Sequence, residues 1–274
     1  MMETKAYARW WVYVLVGALS LIIVAPFAWM IATGLMTTSQ TLMVPPRIVP
    51  DPVTLDGVNE VFDRIPFAVL LFNTIIVSVG RALGTLTVCA MAAYALAIIK
   101  VPGTSVILLC ILTLIMVPGD IFIVPNFAII ATLRMTNTLP ALFLPSMFDV
   151  FGVFLLYQFF RGVPRELVEA ARLDGASYLR ILVTIVIPVS RSGVVSLAIL
   201  SILAEWKDLL WPLVVNRSIE KLTLGPGLAL LRGVYTTDWN VVMAAGAMAA
   251  LPMVLIFLAL QKQFITSFAR SGMK

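Results

Sequence analysis

The stretch WVYVLVGALSLIIVAPFAWMIAT, residues 11–33, contains no charged side chain and is long enough to cross a lipid bilayer as a helix. A transmembrane helix needs about 20 predominantly apolar residues and satisfies its backbone hydrogen bonds internally. The stretch follows Lys5 and Arg9, as the apolar core of a secretion signal does. It exceeds the roughly 7–15 residues of such a core and has no clear small-residue cleavage site, so we expect a retained first span.

The composition of the whole chain also indicates a membrane protein. Of its 274 residues, 61% are hydrophobic and 12% are charged, with a mean hydropathy of +1.03. Soluble domains are nearer to about 45–50% apolar and about 25% charged. The sequence predicts an all-α membrane protein of one domain, residues 1–274, with six transmembrane helices. We expect these spans at about residues 11–33, 70–99, 104–130, 139–160, 193–215 and 241–262.

The distribution of basic residues predicts the orientation. If the six spans alternate, more of the 19 Lys and Arg residues fall on the side of the N-terminus than on the other side. Basic residues concentrate in cytoplasmic loops, so we expect both termini and the basic loop 161–192 to be cytoplasmic. The loop 34–66 is rich in Pro and Asp and is predicted to be external, with one short helix near residues 55–63.

Several chemical functions are not expected from this sequence. The net charge of +5 is spread between apolar runs, which does not favour binding to nucleic acid. The chain has no histidine, which removes histidine metal sites, general bases and proton relays. Cys89 and Cys110 lie in different apolar segments and are expected to be small packing residues. The sequence contains no phosphate-binding loop of the G-x-x-x-x-G-K-[ST] type, so nucleotide hydrolysis through such a loop is not expected of this chain.

Two of the predicted spans have unusual features. The sequence VPGD, residues 117–120, predicts a broken helix, which membranes tolerate only against protein or a water-filled cavity. The second apolar segment contains Arg81, and a lone arginine in the middle of a membrane is costly. We therefore expect an outer helical extension that enters the lipid near Arg81, in preference to one tilted helix. Gly80 and Gly84 have the G-x-x-x-G spacing that permits close contact between helices.

The loop between the fourth and fifth predicted spans contains PRELVEAARLDGAS, residues 164–177. Pro164 suits the first turn of a helix, and acidic residues near that end favour the helix dipole. Gly175 is expected to end the helix in a left-handed conformation, and a second helix is expected from near Ser177. The first helix would have small side chains on one face and charges on the other. From the residues alone, it is either an interfacial helix that links two spans or a lever held by a partner protein.

Glu169-Ala170-Ala171, followed by Gly175 and later by Ile187-Pro188, resembles the EAA loop of permease subunits of binding-protein-dependent ABC importers. The form from Arg172 to Ser177 is similar to that of the carbohydrate-uptake branch, the maltose and glycerol-phosphate type. The resemblance covers most of the chain, from about residue 26 onward. It implies the type I ABC importer permease fold, with six spans and cytoplasmic termini.

In that family the EAA loop forms a coupling helix that docks on the ATPase subunit. The resemblance implies this role for Glu169, Ala170, Ala171, Arg172, Leu173, Asp174, Gly175 and Ala176. It implies four partners: a homologous second permease subunit, an ABC ATPase dimer, an extracytoplasmic solute-binding protein and membrane lipid. The ATPase would bind ATP and Mg, and this chain would bind no cofactor and no metal. The protein would lie in the cytoplasmic (inner) membrane of a bacterium or archaeon and form half of the pathway for a carbohydrate or related polar solute.

Polar and tryptophan side chains within the apolar segments are candidates for the solute pathway, since charges in spans usually face a cavity or a partner. Carboxylates accept hydrogen bonds from sugar hydroxyls, and tryptophan faces suit sugar C–H groups. The candidates are Asp120, Asn126, Asp149, Glu205, Trp206, Asp208 and Trp211. Alternatively, Lys207 neutralises Glu205 or Asp208 at a helix interface, and the tryptophans belong to the outer aromatic belt. The sequence around Trp206 departs from the carbohydrate branch, which often has Asn on both sides of this tryptophan.

Other functions remain open at this stage. An ABC permease for a phosphorylated polyol or another small polar solute would share the features above. Ion-coupled secondary transporters often have inverted repeats with matching broken helices, whereas this sequence indicates one clear break. An intramembrane enzyme would need a metal or nucleophile constellation, and none is evident.

Overall fold

The computed structural model describes residues 10–233 and 237–271, with side chains in the last helix up to residue 258. Throughout these ranges the regular secondary structure is helical, which confirms the predicted all-α class. The α-helices are α1 (Trp10–Gly34), α2 (Thr38–Thr41), α3 (Asp56–Arg64), α4 (Phe67–Tyr94), α5 (Thr104–Ile115), α6 (Ile123–Thr132), α7 (Pro140–Phe143), α8 (Val150–Phe160), α9 (Arg165–Leu173), α10 (Tyr178–Ile181), α11 (Ile187–Val189), α12 (Arg191–Trp206), α13 (Leu210–Val215), α14 (Leu224–Ala229) and α15 (Trp239–Ser271).

Short π- and 3-10 turns join several of these helices. A π-helical turn, Ala95–Ile99, extends α4, and another, Leu182–Val186, joins α10 to α11. The 3-10 turns are Gly119–Phe122, Pro145–Met147 and Ile219–Lys221. The described residues divide into two compact units: one reaches Phe67 and resumes over Gly227–Leu255, and the other contains Ala68–Pro226 and the remainder of α15. The single domain expected from the sequence stays a prediction.

In the first unit, close backbone approaches connect α1, α3 and α15. A Cβ atom placed on Gly34 of α1 would lie 2.9 Å from the backbone of Ala244 in α15. One placed on Gly57 of α3 would lie 2.9 Å from the carbonyl oxygen of Asn240. Arg64, at the end of α3, forms an ion pair with Asp238 at 2.6 Å. The short helix predicted in the loop after α1 is therefore present as α3, and it is held against the start of α15.

In the second unit, α8 packs against α4, α5 and α12 around a continuous apolar core. Leu156 and Phe160 of α8 are fully buried there, together with Leu197 of α12. Gly152 of α8 allows the approach, since a Cβ at this position would lie 2.9 Å from Leu197 and 3.1 Å from the sulfur of Cys89. Burial of these apolar side chains holds the ends of α4 and α8 in fixed positions beside α9.

Three helices are long and apolar enough to span a membrane alone: Trp10–Gly34, Phe67–Ile99 and Trp239–Leu258. Three further pairs are bent, and the count reaches six only if each pair is one span. The pairs are Thr104–Ile115 with Gly119–Thr132 at 98°, Pro140–Met147 with Val150–Phe160 at 50°, and Tyr178–Val189 with Arg191–Trp206 at 87°. The break predicted from VPGD is confirmed. The expectation of one break was wrong, because only the first break contains a Pro-Gly pair.

The predicted fifth span over residues 193–215 is not one helix. Helix α12 ends at Trp206, with Lys207 as its C-cap, and α13 begins at Leu210. The bent pair in this region begins earlier, at Tyr178, and therefore includes part of the loop expected at the cytoplasmic surface. Hydropathy did not predict that one helix ends and another begins within this segment, because it depends on residue composition and not on the path of the backbone.

Candidate functional site

Helix α9 and the turn after it adopt the conformation expected from residues 164–177. Pro164 is the N-cap, and Asp174 is the C-cap. Gly175 has φ of +80°, in the left-handed region that favours glycine. The Ser177 hydroxyl then accepts a hydrogen bond from the backbone N–H of Arg180 at 3.3 Å and caps α10. The helix, its glycine stop and the following helix are all confirmed.

The small face of α9 that was expected to meet a partner is divided between the core and the open side of the helix. Val168 is buried in the apolar core that also contains Phe160 and Ile181. Ala171 and Ala176 are partly buried against the same core, whereas Ala170 is exposed. The spacing of Val168 and Ala171, three residues apart, was the signal for the buried face, and the sequence reasoning missed it.

The opposite side of α9 is open. Leu167 is 47% exposed and Leu173 is 90% exposed, and Ala170 lies between them along the chain. Asp174 and Gly175, in the turn after the helix, are also exposed, as are Glu169 and Arg172 on the side nearer Val168. A leucine that is almost fully exposed beside small and charged residues is suited to contact with another protein, because its burial would be worth about 1.5–3 kcal/mol.

Arg172 connects α9 to the start of α10. Its guanidinium donates a hydrogen bond to the Tyr178 hydroxyl at 2.8 Å, and its Cζ lies 4.6 Å from the centre of the tyrosine ring. This contact spans the turn that contains Gly175 and orders the two helices relative to each other.

A buried ion pair lies among the residues predicted to line the solute pathway. The Nη1 of Arg81 is 3.2 Å from Oε2 of Glu205, with side-chain exposures of 16% and 0%. Within the described residues, Oε1 of Glu205 has no hydrogen-bond partner. The expected partner Lys207 is instead exposed at the end of α12. The sequence reasoning missed this pair.

The same pair changes the interpretation of α4. The helix passes through Arg81 without interruption, from Phe67 to Tyr94. The argument for an outer extension near Arg81 assumed a lone arginine, whereas Arg81 is paired with Glu205. The point at which this helix enters the lipid stays a prediction. Two unmatched opposite charges in separate apolar segments were the available signal, since buried charges are generally paired. The G-x-x-x-G interpretation is confirmed, because Gly80 and Gly84 face Phe143 and Met147.

Three of the other pathway candidates stabilise helix ends and packing. Asp149 caps α8 by accepting a hydrogen bond from the backbone N–H of Gly152 at 3.1 Å. Asp208 accepts one from the backbone N–H of Trp211 at 3.3 Å, at the start of α13. Trp211 is 8% exposed, and its indole N–H donates to the carbonyl oxygens of Ala141 and Leu142 at 3.2 and 3.1 Å. These contacts give each of the three residues a structural role.

The remaining candidates are more accessible. Asp120 is exposed at the break in the third segment, and Asn126 and Trp206 are half-buried. The backbone N–H of Asp208 donates to the carbonyl oxygen of Glu205 at 3.1 Å, which places Asp208 next to the buried pair. Their contact with a solute stays a prediction.

Comparison with known proteins identifies the family. The family described as "Binding-protein-dependent transport system inner membrane component" matches residues 53–269. The arabinooligosaccharides transport system permease protein AraQ of Halalkalibacterium halodurans is 32% identical over 244 residues, covering 89% of this chain and 86% of the relative. The sn-glycerol-3-phosphate transport system permease protein UgpE of Salmonella typhi is 34% identical over 220 residues, covering 78% and 76%.

A solved structure shares the fold. A chain in the crystal structure of a bacterial ABC transporter, involved in the import of the acidic polysaccharide alginate, superposes with a TM-score of 0.83. The two chains are 20% identical over 96% of this chain and 99% of the other. The family match covers most of the chain, which also has apolar helices and the exposed α9. This chain therefore belongs to the inner-membrane components of binding-protein-dependent transport systems and is a multi-pass permease subunit of an ABC importer.

Proposed function

We propose that this subunit forms half of the translocation pathway of an importer for a carbohydrate or related polar solute. It couples uptake to ATP hydrolysis by a partner ATPase dimer, which binds ATP and Mg. A homologous permease subunit completes the pathway, and an extracytoplasmic solute-binding protein delivers the solute. The chain crosses the membrane six times with both termini in the cytoplasm. The observation that carries this proposal is the exposed side of α9, where Leu173 is 90% exposed in a helix whose other side is anchored.

The anchoring of α9 supports a mechanical role. Val168 lies in the same apolar core as Phe160 of α8 and Ile181 of α10. Tyr178 receives the hydrogen bond of Arg172, and α10 leads through a π-helical turn to α11 and α12. Close packing transmits displacement because interiors have low compressibility. Movement of the ATPase against the exposed side of α9 would therefore shift α8 and α12 and change access to the pathway.

The solute class rests on the relatives and on the polar cluster. One relative is named for arabinooligosaccharides, and another for sn-glycerol 3-phosphate. The polar cluster consists of Arg81, its partner Glu205 and the neighbouring Asp208, two carboxylates and one guanidinium. Carboxylates suit the hydroxyls of a neutral sugar better than a phosphate ester, which they repel. A carbohydrate is thus favoured, and a phosphorylated polyol is the second candidate because of the relative named for it.

Co-purification tests the coupling role. The permease is isolated from native membranes in mild detergent, as wild type, as Leu173→Asp and as Leu42→Asp. Leu42 is an equally apolar control that is 66% exposed in the other unit. We expect wild type and the control to bring down an ATPase with measurable ATP hydrolysis, and Leu173→Asp to lose it. Absence of an ATPase from the wild-type preparation would contradict the proposal.

A transport assay tests the solute class. The intact assembly is reconstituted in vesicles with ATP, and uptake of radiolabelled arabinooligosaccharide is compared with uptake of sn-glycerol 3-phosphate. Preference for the oligosaccharide supports the proposed class. Preference for the phosphate ester would replace it with the second candidate, and ATP-independent uptake driven by an ion gradient would contradict ABC coupling.

A further inference from the structure

A cavity of about 800 Å³ lies beside α9, between the ends of α4 and α8. Basic side chains from three segments line it. Lys100 follows the π-helical turn of α4, Arg161 is the C-cap of α8, and Arg165 and Arg172 belong to α9. Among the described residues that line the cavity, Glu169 alone is acidic. The lining thus carries an excess of positive charge at one place in the fold.

The floor of the cavity includes apolar side chains. Ile98 and Val101 are half-buried there, whereas the other apolar residues of the lining are buried core residues: Leu96, Ala97, Phe160, Val163 and Val168. A basic rim above a floor that includes apolar side chains suits an amphipathic ligand, with an anionic group attached to a hydrocarbon chain.

The charges on the rim are available to a ligand. In the described part of the chain, none of the four basic side chains forms an ion pair. The ion pairs found there are Arg47 with Asp51, Arg64 with Glu60 and Asp238, and Arg81 with Glu205. Arg161 is positioned over the Tyr157 ring, with its Cζ 5.7 Å from the ring centre. Arg172 is positioned by Tyr178. Both guanidinium groups are thus partly ordered before a ligand binds, which lowers the entropic cost of binding.

The cavity and the exposed side of α9 are different surfaces. At 3.6 residues per turn, Arg165, Val168 and Arg172 follow one another at i, i+3 and i+7 and share the side that faces the cavity. Ala170 and Leu173 lie on the other side. A ligand in the cavity can therefore be bound while the exposed side of α9 contacts a protein.

We propose that this cavity binds the headgroup of an anionic phospholipid, with the phosphodiester on the basic rim and the start of an acyl chain on the apolar floor. This inference rests on the proposed function for its location at the cytoplasmic membrane surface. Basic pockets between transmembrane helices on that side are suited to anionic headgroups. Bound lipid would bridge the ends of α4 and α8 to α9 and hold the helix in position for its partner.

Native mass spectrometry of the purified chain tests the proposal. Wild type is titrated with phosphatidylglycerol and, separately, with phosphatidylcholine of the same acyl chains. The cavity variant is Lys100→Gln with Arg161→Gln, which leaves α9 unchanged. Its control is Arg134→Gln with Arg217→Gln, which removes two exposed charges outside the cavity. We expect wild type and control to prefer phosphatidylglycerol, and the cavity variant to bind it about thirtyfold more weakly, from about fivefold for each basic side chain.

Further measurements separate the possible outcomes. A charge-preserving variant, Lys100→Arg with Arg161→Lys, should bind as wild type does. Equal binding of both lipids, or equal loss in the control, would overturn the proposal. Competition by inorganic phosphate as strong as that of the lipid would identify a soluble anion instead. Loss of the co-purifying ATPase from the cavity variant with lipid binding unchanged would assign the cavity to a protein contact. An ATPase missing from wild type would contradict the proposed function but not lipid binding.

Discussion

The ion pair between Arg81 and Glu205 leads to a quantitative prediction, because breaking it leaves a buried charge without a partner. At the 3.2 Å separation, Coulomb's law with an effective dielectric constant of about 20 gives about 5 kcal/mol for the attraction. Removal of one member of a buried pair typically costs about 3–5 kcal/mol, and replacement of both by apolar residues is often neutral. We expect Arg81→Met to destabilise the protein by about 3–5 kcal/mol, and Arg81→Met with Glu205→Leu to lie within about 1 kcal/mol of wild type.

The assay is the free energy of unfolding in mixed micelles, followed by tryptophan fluorescence for wild type, both single variants and the double variant. Stability recovered in the double variant relative to Arg81→Met is the result that the geometry requires. An exposed lysine provides a matched control, since Lys207→Met should change stability by less than about 0.5 kcal/mol. Additive losses in the double variant, or a loss below about 1 kcal/mol for Arg81→Met alone, would show that the pair does not stabilise the fold in this way.

Two further predictions concern packing. Gly34→Val should destabilise the protein by about 1–3 kcal/mol, because the added atoms overlap the backbone of Ala244. Gly17→Val is the control and should be neutral, because a Cβ there has no atom within 4 Å. Thermal unfolding distinguishes the two variants, and equal melting temperatures would contradict the packing argument. Trp211→Phe should lower the free energy of unfolding by about 1–3 kcal/mol, because the hydrogen bonding of the indole N–H is lost, and it should leave the KM for uptake unchanged. A raised KM at unchanged stability would instead indicate contact with the solute.

The predictions from sequence succeeded where the signal was local. A run of about 20 apolar residues forms a helix in lipid whatever surrounds it, so α1 was predictable from its own residues. The VPGD sequence interrupts a helix by its own backbone chemistry, and Gly175 takes a positive φ that other residues resist. Motif spacing around Glu169 indicated the family before any fold was known, and the family match confirmed it.

The other breaks could not be predicted in the same way. At residues 148–149, 190 and 207–209 the few polar side chains lie within longer apolar segments, and no Pro-Gly pair marks the place where one helix ends and another begins. A straight and a bent segment of the same composition have the same hydropathy. Both also suit an apolar environment, since lipid and protein interiors are similarly apolar. Packing against neighbouring helices decides where such a segment bends, as the contacts of α8 with α4, α5 and α12 show.

The residues alone indicate that the chain is helical, apolar enough for a membrane and equipped with an EAA loop. Two features follow only from the fold: Glu205 pairs with Arg81 and not with Lys207, and Val168 anchors α9 while Leu173 stays exposed. Burial of a charge demands some opposite charge, but the choice of partner depends on distances between segments far apart in the chain. Helix periodicity and hydropathy are properties of neighbouring residues and contain no information about those distances.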